Sequence, residues 1–143
     1  MRYRLELRNY CADSIIGSES VSRVLQEMSD FFLKDQVIVV TGAAGGIGRA
    51  ICEDLSEAGA KIVLAGRNAD TLKETADSLK IADSLIVSTD ITKPESVKSL
   101  LDATLAKFMR IDGLVNNAGG GSSMKKPEET PHEEWVRMID FNL

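Results

Sequence analysis

Several residue types that carry common protein chemistries are scarce in this chain of 143 residues. Its one histidine, His132, excludes most histidine-based metal sites and Ser-His-Asp catalysis, so no metal site is expected. Its two cysteines, Cys11 and Cys52, form neither a metal-binding spacing nor a disulfide framework, which favours a reduced, cytoplasmic setting. No apolar run approaches membrane-spanning length, and no N-terminal block resembles a secretory signal. A net charge of −5 argues against nucleic acid and anionic membranes as partners.

The composition predicts one domain, and the chain divides near residue 28. An apolar fraction of 43% and a charged fraction of 27% are ordinary values for a globular domain. Residues 1–27 carry four arginines and four acids without clear hydrophobic periodicity, so we expect a disordered or poorly packed extension. An alternative is that translation starts at Met28 and that residues 1–27 are an annotation artefact. The predicted domain then covers residues 28–143.

From Gln36 onward the sequence predicts strands alternating with helices. The all-apolar run at 37–40 predicts a strand buried on both faces. Further strands are predicted at 61–65, at 84–88 and in a short fourth run that begins with Leu114 and Val115. Helical patterns are predicted at 47–58, 70–79, 94–108 and 129–143, with Asn68 or Asp70 as the N-cap of the second. This alternation predicts βαβ units and a parallel sheet.

Two of these helices have a regular apolar face. In the first helix the predicted buried face consists of Ile47, Ile51, Leu55 and Ala58. In the third helix it consists of Val97, Leu100, Leu101, Leu105 and Phe108.

The segment TGAAGGIG, residues 41–48, joins the first strand directly to the first helix. A helix N-terminus at the end of a parallel strand has free N–H groups that favour a phosphate, and glycines let the phosphate approach the backbone. A P-loop, with the pattern GxxxxGK, is excluded because the fifth residue after Gly42 would have to be a glycine followed by lysine, and it is Ile47. The dinucleotide pattern GxGxxG also fails literally, and a glycine-rich turn without a ligand is the alternative.

The same segment resembles the TGxxxGxG motif of short-chain dehydrogenases/reductases, and three later features agree with that family in order and spacing. Residues 116–119 match the NNAG motif of its classical branch, and residues 90–92 match its adenine-contacting segment. Asn142 falls where the family carries its catalytic asparagine. The resemblance covers about residues 35–143. It implies an α/β fold with a Rossmann-type doubly wound parallel sheet, truncated to strand order 3-2-1-4.

The resemblance also implies which residues bind a nicotinamide cofactor. They are Thr41, Gly42, Gly45, Gly46, Ile47, Gly48, Arg67, Asn68, Asp90, Ile91, Asn117, Ala118 and Gly119. An acid at the end of the second strand would bond the ribose hydroxyls of NAD, but Gly66 holds that place and Arg67 follows. This arrangement predicts NADP, with NAD as second choice. Alternatively, Arg67 is a solvated loop residue.

The family transfers a hydride between nicotinamide and a carbonyl or alcohol carbon, using a serine, an asparagine and Tyr-x-x-x-Lys. The only tyrosines, Tyr3 and Tyr10, precede the first predicted strand and are followed four residues later by Leu7 and Ser14. Of the four catalytic residues, only Asn142 can therefore be placed here.

Three interpretations of this partial resemblance stay open. We favour a fragment of a reductase whose whole form acts on a small-molecule carbonyl or alcohol and self-associates as a homo-oligomer. The alternatives are a short protein that binds the dinucleotide without turnover, and a structural remnant that persists only with another chain.

Overall fold

A computed structural model describes residues 33–81, 83–120 and 126–142, and the predicted extension at 1–27 lies outside these residues. Within these described residues there are four strands: β1 (Val37–Thr41), β2 (Lys61–Gly66), β3 (Ser84–Ser88) and β4 (Gly113–Val115). The same part of the chain has four α-helices that alternate with them: α1 (Gly46–Glu57), α2 (Ala69–Ser78), α3 (Pro94–Phe108) and α4 (His132–Asn142). The predicted alternation of strands and helices is confirmed.

All four strands are parallel and lie in the order β3-β2-β1-β4. β1 is an inner strand, in which Val39 pairs with Val63 of β2 on one side and with Leu114 of β4 on the other. This order confirms the predicted Rossmann-type sheet. β4 ends the sheet on one side and has only three residues.

The core lies on both faces of the sheet, as the continuous apolar runs predict. Successive residues of a strand point to opposite faces, so β2 contributes to two separate clusters. Ile62 and Leu64 pack in the cluster that includes residues of α1 and α2. Val63 and Ala65 pack in the second cluster, with Leu100 of α3. The sheet is therefore covered by α1 and α2 on one face and by α3 on the other, which is the doubly wound arrangement.

Asn68 is the N-cap of α2. Its Oδ1 accepts hydrogen bonds from the backbone N–H groups of Asp70 at 2.9 Å and Thr71 at 3.3 Å. This satisfies two of the donors that a helix N-terminus leaves unpaired. Of the two predicted candidates, Asn68 is therefore the cap, and the loop after β2 is fixed at this point.

The start of the last helix differs from the prediction. A short 3-10 helix covers Pro127–Glu129, and α4 begins only at His132. Thr130 between them is extended, with φ −87° and ψ 119°. The ring of Pro131 disfavours a helical conformation in the residue before it, which explains why one continuous helix from residue 129 is wrong.

Part of each predicted apolar helix face is exposed. Ile47 is 74% exposed because it lies in the first turn of α1, where it lines a cleft and does not pack on the sheet. In α3, Leu100 is buried, whereas Leu101 and Leu105 are 43% and 45% exposed. Residue 101 is turned about 100° from residue 100 around the helix, so it leaves the narrow stripe that contacts a single sheet.

Candidate functional site

A cleft at the carboxyl ends of β1 and β2 contains a cavity of about 410 Å³. Its walls come from the turn after β1, the loops after β2 and β3, the segment after β4 and one side chain of α4. The strand order reverses between β1 and β4, and ligands of open parallel sheets bind at the carboxyl edge near such a reversal. The cavity therefore has the position expected of a ligand site in this architecture.

The N-terminus of α1 opens into this cavity. Gly45 is the N-cap and has no side chain to pair with the free N–H groups of the first turn, and that turn contains no acid. Three residues of the first turn, Gly46, Ile47 and Gly48, line the cavity. Unpaired N–H groups and the helix dipole make such an end favourable for an anion.

The glycines of the turn differ in what a side chain at each position would meet. Gly42 has φ +65° and lies against the segment after β4, where a Cβ atom would be 2.9 Å from the Cα of Ala118. At Gly48 a Cβ atom would lie 2.2 Å from the carbonyl oxygen of Gly42, closer than side chains tolerate. At Gly46 a Cβ atom would meet nothing within 4 Å. Gly42 and Gly48 are thus required by the packing of the chain itself, whereas Gly46 borders open space in the cavity.

Thr41 and Asn117 join the turn to the segment after β4. The Thr41 hydroxyl donates to the carbonyl oxygen of Val115 at 3.1 Å and accepts from the N–H groups of Asn117 and Ala118, both at 3.0 Å. In return, Nδ2 of Asn117 donates to the carbonyl oxygens of Thr41 at 2.9 Å and Gly42 at 3.2 Å. These bonds hold two walls of the cavity in one arrangement.

Arg67 provides a positive charge at the wall formed by the loop after β2. It lines the 410 Å³ cavity and also a neighbouring cavity of about 850 Å³, and Phe141 of α4 lines both as well. The Cζ atom of Arg67 lies over the Phe141 ring, 5.3 Å from its centroid. Within 33–81, 83–120 and 126–142, Arg67 takes part in no salt bridge.

Asp90 lies two residues beyond the end of β3, in the segment that leads to α3, and lines the neighbouring cavity. Its Oδ1 accepts from the Thr92 hydroxyl at 2.7 Å and from the Thr92 N–H at 3.1 Å. These two bonds lower the pKa of the Asp90 carboxyl, and the charges of Lys93 and Arg67 lower it further. The group is therefore an ionised hydrogen-bond acceptor at neutral pH.

Asn142 clamps the glycine segment after β4. Its Oδ1 accepts from the Gly120 N–H at 3.0 Å, and its Nδ2 donates to the carbonyl oxygens of Gly120 at 3.0 Å and Met138 at 2.7 Å. A Cβ atom on Gly119 would lie 2.8 Å from this Oδ1, so glycine is needed there for the clamp to close. The side chain thereby ties the end of α4 to the cavity wall.

The structure brings eleven of the thirteen predicted cofactor-binding residues to the wall of one cavity. They are Gly42, Gly45, Gly46, Ile47, Gly48, Arg67, Asn68, Ile91, Asn117, Ala118 and Gly119. The two others lie beside it: Thr41 is buried beneath the turn, and Asp90 faces the neighbouring cavity. Sequence reasoning missed Phe141, which reaches this wall from α4.

Residues 33–81, 83–120 and 126–142 contain no group of three or more His, Cys, Asp and Glu side chains placed to hold a metal ion. No helix among them is long and apolar enough to cross a membrane.

Comparison with known proteins agrees with this geometry. A family model described as short chain dehydrogenase matches residues 36–143. An uncharacterized oxidoreductase of Staphylococcus saprophyticus is 40% identical over 111 residues, which make up 78% of this chain and 45% of that protein. The chain thus spans about half the length of the curated relatives it matches.

Solved structures show the same partial similarity. A 3-ketoacyl-(acyl-carrier-protein) reductase from Brucella melitensis, complexed with NADH, is 32% identical with a TM-score of 0.72, over 77% of this chain and 45% of that one. An alcohol dehydrogenase from Thermococcus sibiricus, complexed with 5-hydroxy-NADP, is 35% identical with a TM-score of 0.70, over 77% of this chain and 48% of that one. The two neighbours were thus solved with different nicotinamide dinucleotides.

Proposed function

Because the chain belongs to the short-chain dehydrogenase family, we propose that its cleft binds a nicotinamide dinucleotide, with NADP(H) preferred to NAD(H). The observation that carries the proposal is the uncapped N-terminus of α1, whose first turn lines the cavity. The open space beside Gly46 leaves room for a pyrophosphate against the backbone N–H groups. The thirteen residues predicted from the sequence are the proposed cofactor-binding set.

The preference for NADP(H) rests on the end of β2. Gly66, the last residue of β2, has no carboxylate that could bond the ribose hydroxyls or repel a 2′-phosphate. Arg67 comes next, lines the cavity and has no salt-bridge partner in the described part of the chain. A guanidinium in this position matches the geometry and charge of a phosphate.

For the whole protein we propose hydride transfer between the nicotinamide and a small carbonyl or alcohol substrate. The bound cofactor supplies the redox chemistry, and the residues of this chain bind and orient it. Asn142 is the one family catalytic residue that this chain contains, and its clamp on Gly120 connects it to the cofactor site. Because Tyr-x-x-x-Lys is absent from these 143 residues, cofactor binding without turnover stays the alternative. Self-association and a cytoplasmic setting stay predictions from the sequence.

The test is calorimetric titration of the full chain with NADPH and with NADH. We expect Arg67→Asp to weaken NADPH binding by roughly 10- to 100-fold, since hydrogen bonds to charged groups contribute about 1.5–3 kcal/mol. NADH binding should improve relative to NADPH, because the new carboxylate can accept from the ribose hydroxyls.

The matched control is Lys80→Asp, which makes the same change in net charge at an exposed position just beyond the other end of α2. It should leave both affinities unchanged. Unchanged NADPH affinity in Arg67→Asp would contradict the assignment of the 2′-phosphate site. Binding of neither dinucleotide to the unaltered chain would contradict the proposed function itself.

A further inference from the structure

Arg67 is held at its main-chain end by a residue of the neighbouring strand. The Ser88 hydroxyl, at the end of β3, donates to the carbonyl oxygen of Arg67 at 3.0 Å. Gly66, the residue before Arg67, is also bonded to the segment at the end of β3, because the Thr89 N–H donates to the carbonyl oxygen of Gly66 at 2.8 Å. The residue after Arg67 is Asn68, the N-cap of α2. The backbone of Arg67 is thus fixed between β3 and a helix N-terminus.

The other end of Arg67 is held by an aromatic ring. Its Cζ atom lies over the Phe141 ring at 5.3 Å from the centroid, within the range of a cation–π contact. A guanidinium that stacks through its flat face keeps the N–H groups in its plane available for hydrogen bonds. The nearby carboxylate of Asp90 forms no salt bridge with Arg67 in the described part of the chain, and its Oδ1 accepts from Thr92.

From these contacts we infer that Phe141 and Ser88 are positioning residues that hold Arg67 ready for the cofactor's 2′-phosphate and so set the preference for NADP(H). The inference rests on the proposed function and adds two residues that act through Arg67. A free arginine side chain has many rotamers, and holding it at both ends lowers the entropy lost when a phosphate binds. NAD(H) has no 2′-phosphate, so its binding should not depend on this restraint.

Phe141→Leu tests the aromatic contact in the full chain, by calorimetric titration with NADPH and NADH. We expect NADPH affinity to fall about two- to five-fold, as for loss of an exposed cation–π contact, and NADH affinity to stay unchanged. Phe141→Tyr keeps a ring and should restore the NADPH affinity. The control is Phe108→Leu, which removes a second cation–π contact of the described residues, with Lys107 at 4.9 Å, away from the cavity.

Ser88→Ala tests the main-chain contact independently, at an exposed position where loss of folding is not expected. Removing the hydroxyl should weaken NADPH binding by about two- to ten-fold, the range for one lost hydrogen bond. Ser88→Thr retains a hydroxyl and should bind NADPH as the unaltered chain does. Ser84→Ala, at the opposite end of β3, is the control and should change neither affinity.

Arg67→Ala distinguishes a failure of the 2′-phosphate assignment from a failure of the inference that Phe141 and Ser88 position Arg67. If it leaves the ratio of NADPH to NADH affinity unchanged, the assignment of the 2′-phosphate site fails. If it lowers that ratio but Phe141→Leu and Ser88→Ala do not, the assignment stands and the inference about positioning is overturned. Equal losses of NADPH and NADH affinity in Phe141→Leu would also overturn it, because the ring would then serve only as a wall of the cavity.

Discussion

Replacing Gly48 and Gly46 separately by alanine should have opposite consequences, although the two glycines are two residues apart in one turn. At Gly48 the new methyl group would lie 2.2 Å from the Gly42 carbonyl oxygen and 2.7 Å from Nδ2 of Asn117. The carbonyl belongs to the backbone of the turn, and Asn117 is held by bonds to Thr41 and Gly42. Neither neighbour can move without breaking contacts.

The size of the effect follows from these contacts. Inserting a methyl group into a tightly packed position costs about 1–3 kcal/mol, and losing one Asn117 hydrogen bond adds about 1 kcal/mol. Alanine regains at most about 1 kcal/mol of helix propensity. We therefore expect Gly48→Ala to lower the free energy of unfolding by roughly 1–3 kcal/mol, a sizeable share of the 5–15 kcal/mol typical of a domain. Gly46→Ala should leave it unchanged or raise it by up to about 1 kcal/mol, because its methyl group meets open space.

Urea unfolding followed by far-ultraviolet circular dichroism measures the stability of each variant, and NADPH titration measures its affinity. Gly46→Ala should fold as well as the unaltered chain but bind NADPH more weakly, since the methyl group occupies the space proposed for the pyrophosphate. A Gly48→Ala variant within 0.5 kcal/mol of the unaltered chain, the ordinary range for neutral substitutions, would refute the packing argument. A Gly46→Ala variant with full NADPH affinity would refute the proposed position of the pyrophosphate.

Two further predictions concern groups away from the cavity. Asp112 accepts from the Val37 N–H at 2.8 Å and from the Arg110 guanidinium at 2.6 Å, and both interactions lower its pKa. A carboxyl whose pKa is lowered by folding stabilises the fold above its ordinary pKa, and this stabilisation is lost as the pH falls through the pKa of the folded state. Urea unfolding between pH 7 and pH 2 should therefore show a smaller decrease in the free energy of unfolding for Asp112→Asn than for the unaltered chain. Equal decreases would contradict this. Burial raises the pKa of the Cys52 thiol to about 11. In a Cys11→Ser variant, Cys52 should therefore react with Ellman's reagent at pH 8 only after the chain unfolds. Prompt reaction of the folded chain would show that the Cys52 thiol is not buried.

Sequence reasoning predicted the elements well where the pattern is local. The apolar runs of β1 and β2 lie within about one residue of the observed strands because strands buried on both faces need continuous apolar sequence. The run predicted for β3 also matches its observed bounds, although its residues are half-buried or exposed. The glycine turn was placed correctly at the carboxyl edge, since a strand followed at once by a helix fixes that position. Periodicity also predicted Ile51 and Leu55 correctly, as both pack against the core.

The features that sequence reasoning missed depend on tertiary structure. Helical spacing shows that Ile47 shares a face with Ile51, but it does not show where the sheet ends, and Ile47 lies beyond that edge. Nothing in the local sequence of Phe141 indicates a contact with Arg67, because α4 meets the loop after β2 only in the folded chain. The start of α4 could have been found, since Pro131 restricts the residue before it.

The contacts between β1 and β4 have a consequence for the order of folding. Val37 and Asp112 are 75 residues apart in sequence, and the bond from Thr41 to Val115 spans 74 residues. Closing so long a loop costs more chain entropy than pairing β1 with β2, so β4 should dock late, onto strands already in place. The cavity walls formed by the turn after β1 and by the segment after β4 then meet only in the last step of folding, and the three-residue β4 is the part of the sheet expected to detach first. A ligand that touches both walls would accordingly act on the unfolding rate more than on the folding rate.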